Sequence, residues 1–377
     1  MAASASASAS AELVAGQPAG QSAGQSAGPG AGLRAAVIAK IIERSGPGLA
    51  GTEVNVMREQ PDWAFGAGIA RSTRAEYPDG WLFVARLDGD HWVLAFEGEA
   101  GFPALAAAAP DGVVGDHEKQ IFASAGVQAN GDYRTGMRLP YAIGQSWRLT
   151  GGPHSTVRGS IDLAGGDGRV LAARAGTLYV MCSNRRGWLR IMHDRGYATD
   201  YYHLHNNRTD NGASVGAGAF LGNIGVDVSC GGSATGAHVH FSLRQNGSFV
   251  PIAGHDFGKW QPYNGASDYQ GYALHGSTRV NVGGNLYNYG PLGFSQGIVD
   301  TNGGTVLNKR SGPGTGYAVV GTVADGATVS ISCSANGTTH TGRSGNPTDL
   351  WNKLTDGTWV SDAYTWTGTT NPVSGWC

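Results

Sequence analysis

Three short motifs carry histidines at spacings that suit metal binding or proton transfer. The first is AHVHF, which holds His238 and His240. Side chains two positions apart on a β-strand point to the same face, so these imidazoles are predicted to project together as metal ligands or as an acid–base pair. The second motif is YYHLH, which holds His203, and the third is GGPH. Its Gly-Gly-Pro predicts a turn that would hold His154 rigidly.

An aspartate follows the GGPH motif. Asp162 lies in SIDLAGG, just before a glycine-rich turn; alone it would be interpreted as a turn residue, but the histidine motifs favour a functional role. Catalytic zinc takes three His or carboxylate ligands, keeps a fourth position for water and lowers the pKa of that water to about 7. His154, Asp162 and one histidine of the AHVHF pair make such a set. The other histidine of that pair and His203 are then available for proton transfer.

The strand that carries His203 is predicted to alternate between two faces. Strict alternation puts on one face the side chains of Tyr197, Thr199, Tyr201 and His203. His205 lies two positions further on the same face, nearer the strand end, and is the alternative to His203 as the catalytic histidine.

The remaining candidate motifs are given lesser roles. His193, His255 and His275 are predicted to be structural or rim residues. His117-Glu118 has no second histidine four residues later, so the helical HExxH metalloprotease motif is excluded. A GxSxG match at residues 20–24 lies in low-complexity sequence without a predicted strand or helix, so it is no nucleophile elbow.

Composition predicts many short strands. Glycine supplies 62 of 377 residues, about twice the usual ~7%, without a three-residue period and interleaved with Val, Thr, Tyr and Trp, which is typical of strands joined by tight turns. The net charge of −2 gives no reason to expect a nucleic-acid or anionic-membrane partner. No stretch of 18 apolar residues occurs, so no membrane span is predicted.

The chain is predicted to be mainly β, with four regions. They are a low-complexity leader at 1–32, a small α+β region at 33–115, an antiparallel β-sheet domain at 120–290 and a small β-barrel at 294–377. Local signals within them are a helix over 33–44, a linker at 104–115, and hairpin turns at Asp88-Gly89-Asp90, Asp194-Arg195-Gly196 and Asn246-Gly247.

Four cysteines fall in two regions and predict two local disulfides, Cys182–Cys230 and Cys333–Cys377; the alternative is four free buried thiols. Closing the first loop would contribute about 4 kcal/mol in the chain-entropy model. Disulfides favour an oxidising compartment, and therefore secretion. The first 32 residues lack the basic and apolar segments of a complete signal peptide.

GGPH with its downstream Asp, YYHLH and GGSATGAHVHFSL occur in this order, and together they resemble the lysostaphin-type zinc metalloendopeptidases, in particular the β-lytic or staphylolysin branch. The resemblance covers roughly residues 136–260. It implies a compact antiparallel sheet with a loop-bounded groove, and cleavage of glycine-rich or D-Ala- and Lys-linked peptides of bacterial peptidoglycan. It assigns one zinc ion to His154, Asp162 and His240, and the catalytic pair to His203 and His238.

The sequence differs from this family in two respects, and its C-terminal region resembles a second family. The eight-residue spacing from His154 to Asp162 is longer than in the lysostaphin branch and shorter than in the β-lytic branch. Cys182 and Cys230 fall where the β-lytic branch has a disulfide near its site, but a second pair at the end of that domain is absent. NKRSGPG at 308–314, followed by Tyr317, resembles a bacterial Src-homology-3-like barrel, which implies binding of cell-wall peptides.

The sequence therefore predicts a secreted, monomeric zinc endopeptidase acting on peptidoglycan peptides. Residues 33–115 precede the catalytic domain, as pro-regions do in secreted proteases, and are predicted to be removed or to cover the groove. Two alternatives are a non-catalytic wall-binding or regulatory protein with a degenerate peptidase fold, and a zinc-free adhesin with incidental histidines. The first is disfavoured because all five family positions are filled.

Overall fold

A computed structural model describes residues 29–46, 48–72, 77–123 and 131–377. The predicted leader lies outside these residues except for its last four positions, and so does the GxSxG match. The architecture is mainly β with antiparallel sheets, which confirms the predicted fold class. None of the helices in the described ranges is long and apolar enough to cross a membrane.

The N-terminal region, by which we mean the described residues from 29 to 123, is a four-stranded meander with three helices. Its elements are α1 (Pro29–Ser45), β1 (Leu49–Gln60), β2 (Trp63–Ser72), β3 (Asp79–Asp88), β4 (His91–Phe96), α2 (Phe102–Ala108) and α3 (Asp116–Ala123). The apolar stripe of α1, formed by Leu33, Val37 and Ile41, is fully buried against one face of the meander. The other face of the meander packs on the following domain.

The segment 104–115 is not a linker, so that prediction is wrong. Its first half belongs to α2, and Val113 and Val114 beyond it are fully buried. Ala-rich sequence suits a helix as well as a linker, and here its small side chains let α2 pack closely against the meander.

The central sheet carries the candidate residues. The strands of this part of the chain are β5 (Ser146–His154), β6 (Ser160–Ala164), β7 (Arg169–Leu171), β8 (Gly176–Val180), β9 (Gly187–Met192), β10 (Tyr197–His205), β11 (Ala213–Val215), β12 (Phe220–Asp227), β13 (Val239–Gln245), β14 (Ser248–Phe249), β15 (Gln261–Asn264), β16 (Gly271–His275), β17 (Thr278–Asn281) and β18 (Asn285–Tyr287). Strands pair in the order β11-β8-β9-β10-β13-β6-β5-β18, while β15 to β17 form a small separate sheet.

The two faces of the central sheet have different surroundings. On β13, Val239, Phe241 and Leu243 enter the main hydrophobic core, so His240 and Ser242 point to the opposite face. We call that opposite face the site face. The predicted hairpin turns are confirmed, because β3 pairs with β4, β9 with β10 and β13 with β14.

A seven-stranded sheet completes the chain. Its strands are β19 (Gln296–Val299), β20 (Val306–Arg310), β21 (Val319–Ala324), β22 (Thr328–Thr341), β23 (Pro347–Leu354), β24 (Trp359–Ser361) and β25 (Thr365–Trp366). Its small apolar core includes Val299, Ile331 and Val360. Both predicted disulfides are present, Cys182–Cys230 in the central domain and Cys333–Cys377 here.

His193 is a buried structural histidine, and it predicts acid sensitivity. Its Nδ1 lies 2.8 Å from the carbonyl oxygen of Ala175 and its Nε2 lies 2.9 Å from the Thr199 hydroxyl. Burial lowers its pKa from 6.5 to about 4. The unfolded chain therefore binds a proton first as the pH falls below about 6.5, and up to about 3 kcal/mol of stability is lost on approaching pH 4.

Replacing His193 with Gln should therefore flatten the acid limb of the stability curve. Thermal or denaturant unfolding between pH 7 and pH 4.5 measures this, with His91→Gln as the control because His91 is exposed. If His193→Gln lost as much stability between pH 7 and pH 4.5 as the unsubstituted protein does, His193 would not be the source of the acid sensitivity.

Candidate active site

Three ligand-type side chains converge on the site face. His154 ends β5, Asp162 lies on β6 and His240 lies on β13. These strands are neighbours, and the register sets His240 directly opposite Asp162. One ligand atom from each residue falls within 4.8 Å of the other two. Adjacent strands thus bring together residues 78 positions apart in the chain.

The spacing of these atoms fits a metal ion. Nε2 of His154 lies 3.1 Å from Nδ1 of His240 and 3.5 Å from Oδ1 of Asp162, and Nδ1 of His240 lies 3.1 Å from the same oxygen. Ligand atoms about 2.1 Å from a tetrahedral zinc ion lie about 3.4 Å from one another. The Nδ1 of His154 is 2.7 Å from the Gly152 carbonyl oxygen, and donating its proton there leaves Nε2 free to bind a metal.

Glycines make this close approach possible, and the predicted Gly-Gly-Pro turn is wrong. The segment belongs to β5, with an irregular register between Gly151 and His154. A β-carbon on Gly151 would lie 2.6 Å from Oδ2 of Asp162, and one on Gly152 would lie 2.3 Å from the Gln270 carbonyl oxygen. The glycines therefore admit the carboxylate and the neighbouring loop rather than turn the chain.

His203 reaches the site through a backbone irregularity. Tyr201 points into the main core, so strict alternation would put His203 there as well. Instead His203 has a left-handed φ of 66°, and the pairing of β10 with β9 shifts between Tyr201 and Leu204. Its ring lies 4.7 Å from that of His238, centroid to centroid. The prediction that His203 shares a face with Tyr201 is wrong, although His203 itself does lie in the cavity.

His203 and His238 are oriented in the same way. Nδ1 of His203 is 3.0 Å from the carbonyl oxygen of Asp227, and Nδ1 of His238 is 2.7 Å from that of Gly236. Each Nδ1 can donate to its carbonyl, which leaves Nε2 as the basic nitrogen. Nε2 of His238 lies 3.6 Å from Oδ1 of Asp162.

A cavity of about 410 Å³ lies at the site, and His154, which is fully buried, is not among its lining residues. The cavity is lined by Thr150, Asp162, His203, Ser233, Ala234, Thr235, Gly236, Ala237, His238, His240 and Tyr269. His205 is exposed and does not line this cavity, nor do His193, His255 and His275. The wall formed by residues 233–237 follows Cys230. The disulfide from Cys230 to Cys182 connects this wall to the chain just after the end of β8.

Burial keeps His154 and His203 neutral. It lowers the pKa of His203 to about 3 and that of His154 to about 4, and the neighbouring histidines add to this effect. Burial alone would raise the pKa of Asp162, but the hydrogen bond from His240 stabilises the carboxylate and brings this pKa below its usual value. A neutral His154 beside the Asp162 carboxylate is in the protonation state that binding of a divalent metal requires.

Two tyrosines that sequence reasoning missed contact the candidate ligands. The ring of Tyr269 stacks on His154 at 4.0 Å, and Tyr269 has a left-handed φ of 66°. The ring of Tyr77, from the N-terminal region, lies 4.5 Å from that of His240. Neither tyrosine stands in a motif, and both reach the site only through long-range packing, so no local signal could have identified them.

Comparison with known proteins adds a family and several relatives. Residues 156–251 match Peptidase family M23. Protease LasA of Pseudomonas aeruginosa is 37% identical over 148 residues, which cover 35% of this chain and 35% of LasA. Beta-lytic metalloendopeptidase of Lysobacter enzymogenes is 33% identical over 133 residues, covering 31% of this chain and 74% of that protein.

One solved structure is also similar in sequence to part of this chain. The structure described as a novel M23 metalloprotease, pseudoalterin from deep-sea, has 30% identity, covers 40% of this chain and 97% of its own, and has a TM-score of 0.37. The match to LasA spans about a third of that relative's length.

Proposed function

The chain belongs to peptidase family M23, and from that premise we propose that it is a zinc-dependent endopeptidase that hydrolyses peptide bonds in bacterial peptidoglycan. The observation that carries this proposal is the cluster of three ligand-type side chains, His154, Asp162 and His240, beside a cavity that His203 and His238 also line. A degenerate relative that only binds the bacterial cell wall would have no need to keep all five of these side chains. The zinc-free adhesin is disfavoured for the same reason.

The ligands are His154, Asp162 and His240. Zinc bound there would supply Lewis-acid polarisation of a carbonyl group and activation of water. Two imidazoles and one carboxylate match its preferred donors. Each ligand is buried, so the ion would be shielded from bulk water on the sheet side.

His203 and His238 are the proton-transfer pair. Backbone carbonyls fix Nδ1 of both rings, so each Nε2 is a base that can accept the proton of an attacking water. The protonated ring can then stabilise the developing oxyanion or protonate the leaving amine. His205 is not part of this pair, because it lies outside the cavity.

The walls of the cavity favour a slim peptide. Apart from four of the proposed site residues and Tyr269, the lining is formed by short side chains at positions 150 and 233–237. Such walls accept the backbone of glycine or alanine residues and offer no pocket for a long side chain. This favours the small residues of peptidoglycan bridges and stems.

The other regions are proposed to serve delivery and control. The two disulfides favour secretion. Residues 294–377 would be a Src-homology-3-like unit that holds cell-wall peptide, residues 33–115 a pro-region, and the enzyme a monomer. The N-terminal sequence of the active secreted species tests the pro-region: it should begin after residue 115, and a start before residue 50 would overturn this assignment.

Cell-wall clearing tests the function. The full chain, carrying a protease recognition sequence between Ala123 and Gly131, is folded under oxidising conditions and then cut. It should clear a purified wall suspension and release new amino groups; a chelator should abolish both effects and added zinc should restore them. Wall binding with zinc present but without new amino groups would favour the wall-binding alternative.

A further inference from the structure

A buried cluster of charges lies on the site face beyond the cavity. Arg190 and Arg244 are at most 1% exposed, and Asp200 is also buried. Arg190 binds Asp200 through two hydrogen bonds, Nε to Oδ1 at 2.6 Å and Nη2 to Oδ2 at 2.8 Å. The N-terminal region supplies the other two members, since Glu97 pairs with Arg190 and Asp79 Oδ1 lies 2.9 Å from Arg244 Nη1.

The cluster and the metal site share one strand. His240, Ser242 and Arg244 follow one another on the same side of β13, and Ser242 also bonds Ser160 of β6 at 2.8 Å. At about 3.4 Å per residue, Arg244 is about 14 Å along the strand from His240. An extended peptide that lies along β13 from the metal site therefore reaches the arginines within about four residues.

Both arginines are held in place by their own domain. Asp200 fixes Arg190, while the Gly247 carbonyl oxygen accepts a hydrogen bond from Arg244 Nη2 at 2.9 Å. The Arg244 guanidinium also packs on the ring of Phe249 at 3.9 Å. Only the Nη1 groups use partners from the N-terminal region: Arg190 Nη1 donates to Glu97 and to the Gly80 carbonyl oxygen, the latter at 3.1 Å.

Displacing the N-terminal region would leave this site short of negative charge. Two guanidinium groups, which stay charged at all working pH values, would face the single carboxylate of Asp200. The groups that now satisfy the two Nη1 atoms are two carboxylates and one backbone carbonyl oxygen, which are groups that a peptide also carries. Guanidinium and carboxylate match in both charge and geometry.

We propose that Arg190 and Arg244 form a carboxylate-binding subsite of the substrate groove, which Glu97 and Asp79 occupy in the full chain. The substrate is then a peptide with a free carboxylate about four residues from the bond that is cut. This inference rests on the proposed function for its substrate, but the presence of the carboxylate site can be tested without any peptidase activity.

The first test is chemical rescue in the full chain. Glu97→Ala removes the carboxylate beside Arg190 and should lower the thermal midpoint, and sodium formate should raise that midpoint by about 3 °C relative to equal sodium chloride. Glu97→Gln fills the same space, so its midpoint should not respond to formate. Equal responses of the two variants, or no response of Glu97→Ala, would overturn the proposal.

The second test does not depend on the folding of Glu97→Ala. It uses the full chain, which is folded intact and then cut between Ala123 and Gly131. Two matched glycine- and alanine-containing peptides end in a carboxylate or in an amide. The carboxylate peptide should have at least about a tenfold higher kcat/KM, and Arg244→Gln should remove that preference. Arg208→Gln is the control, because Arg208 pairs with Asp210 at the surface.

The outcomes separate the two proposals. If both peptides are cut equally well by the unsubstituted protein, the subsite is wrong and the peptidase assignment stands. If neither peptide is cut, the peptidase assignment fails for these bonds, and direct binding of the same two peptides decides the subsite. Equal binding of the two peptides overturns it, and at least about tenfold tighter binding of the carboxylate peptide supports it.

Discussion

Replacing His203 with Ala is expected to leave the zinc content at one equivalent while turnover falls by about a hundredfold to ten-thousandfold. The reason is geometric. The His203 ring centroid lies 6.0 Å from that of His240, and His203 is not among the three residues whose ligand atoms cluster. Its Nδ1 lies within hydrogen-bond distance of a backbone carbonyl oxygen. Removing the ring should therefore cost the protein a proton-transfer group but not a metal ligand.

Metal analysis and initial rates on the same preparations measure this prediction. His240→Ala should lose zinc and activity together, since Nδ1 of His240 lies within 3.1 Å of both other ligand atoms. His205→Ala is the matched control, and neither quantity should change because His205 is exposed. Loss of zinc from His203→Ala would mean that the ligand and proton-transfer roles have been exchanged.

Cutting the folded chain between Ala123 and Gly131 is the second change with a large expected effect. The N-terminal region lies on the site face, where Tyr77 contacts His240 and Asp79 contacts Arg244. A peptide that lies along β13 would compete for the same surface. Cutting turns an intramolecular contact into a contact between two separate chains. The fraction of molecules in which the N-terminal region covers the site face then depends on the protein concentration.

The specific activity of the cut protein should therefore rise at least about tenfold on dilution, while that of the uncut protein stays constant and low. The uncut chain with the same inserted recognition sequence is the control. Activity that is equal before and after cutting, at every dilution, would show that the N-terminal region does not close the groove.

The sequence predicted local features well. Hairpins at Asp194-Arg195-Gly196 and Asn246-Gly247 follow from turn chemistry, and the joint projection of His238 and His240 follows from the period of a strand. The disulfides follow from the number and grouping of the cysteines. Each of these depends on residues close in sequence or on a small set of possible pairings.

Other features depend on structure that a local pattern does not encode. The left-handed backbone of His203 is imposed by pairing with two neighbouring strands whose registers both shift there. The glycines of GGPH serve close contacts with Asp162 and Gln270, and a glycine pair equally indicates a turn. Coverage of the site face by the N-terminal region arises from contacts between residues more than 90 positions apart, such as Glu97 and Arg190.

The Cys182–Cys230 disulfide beside the cavity makes the position of one cavity wall depend on the redox conditions around the protein. Cys230 precedes the wall formed by residues 233–237 and is bonded to Cys182, while the candidate ligands Asp162 and His240 lie opposite each other on paired strands. A chain still in a reducing compartment would hold its ligands together but leave that wall untethered. Closing the Cys182–Cys230 bond therefore fixes one wall of the cavity without changing the strands that carry the candidate ligands.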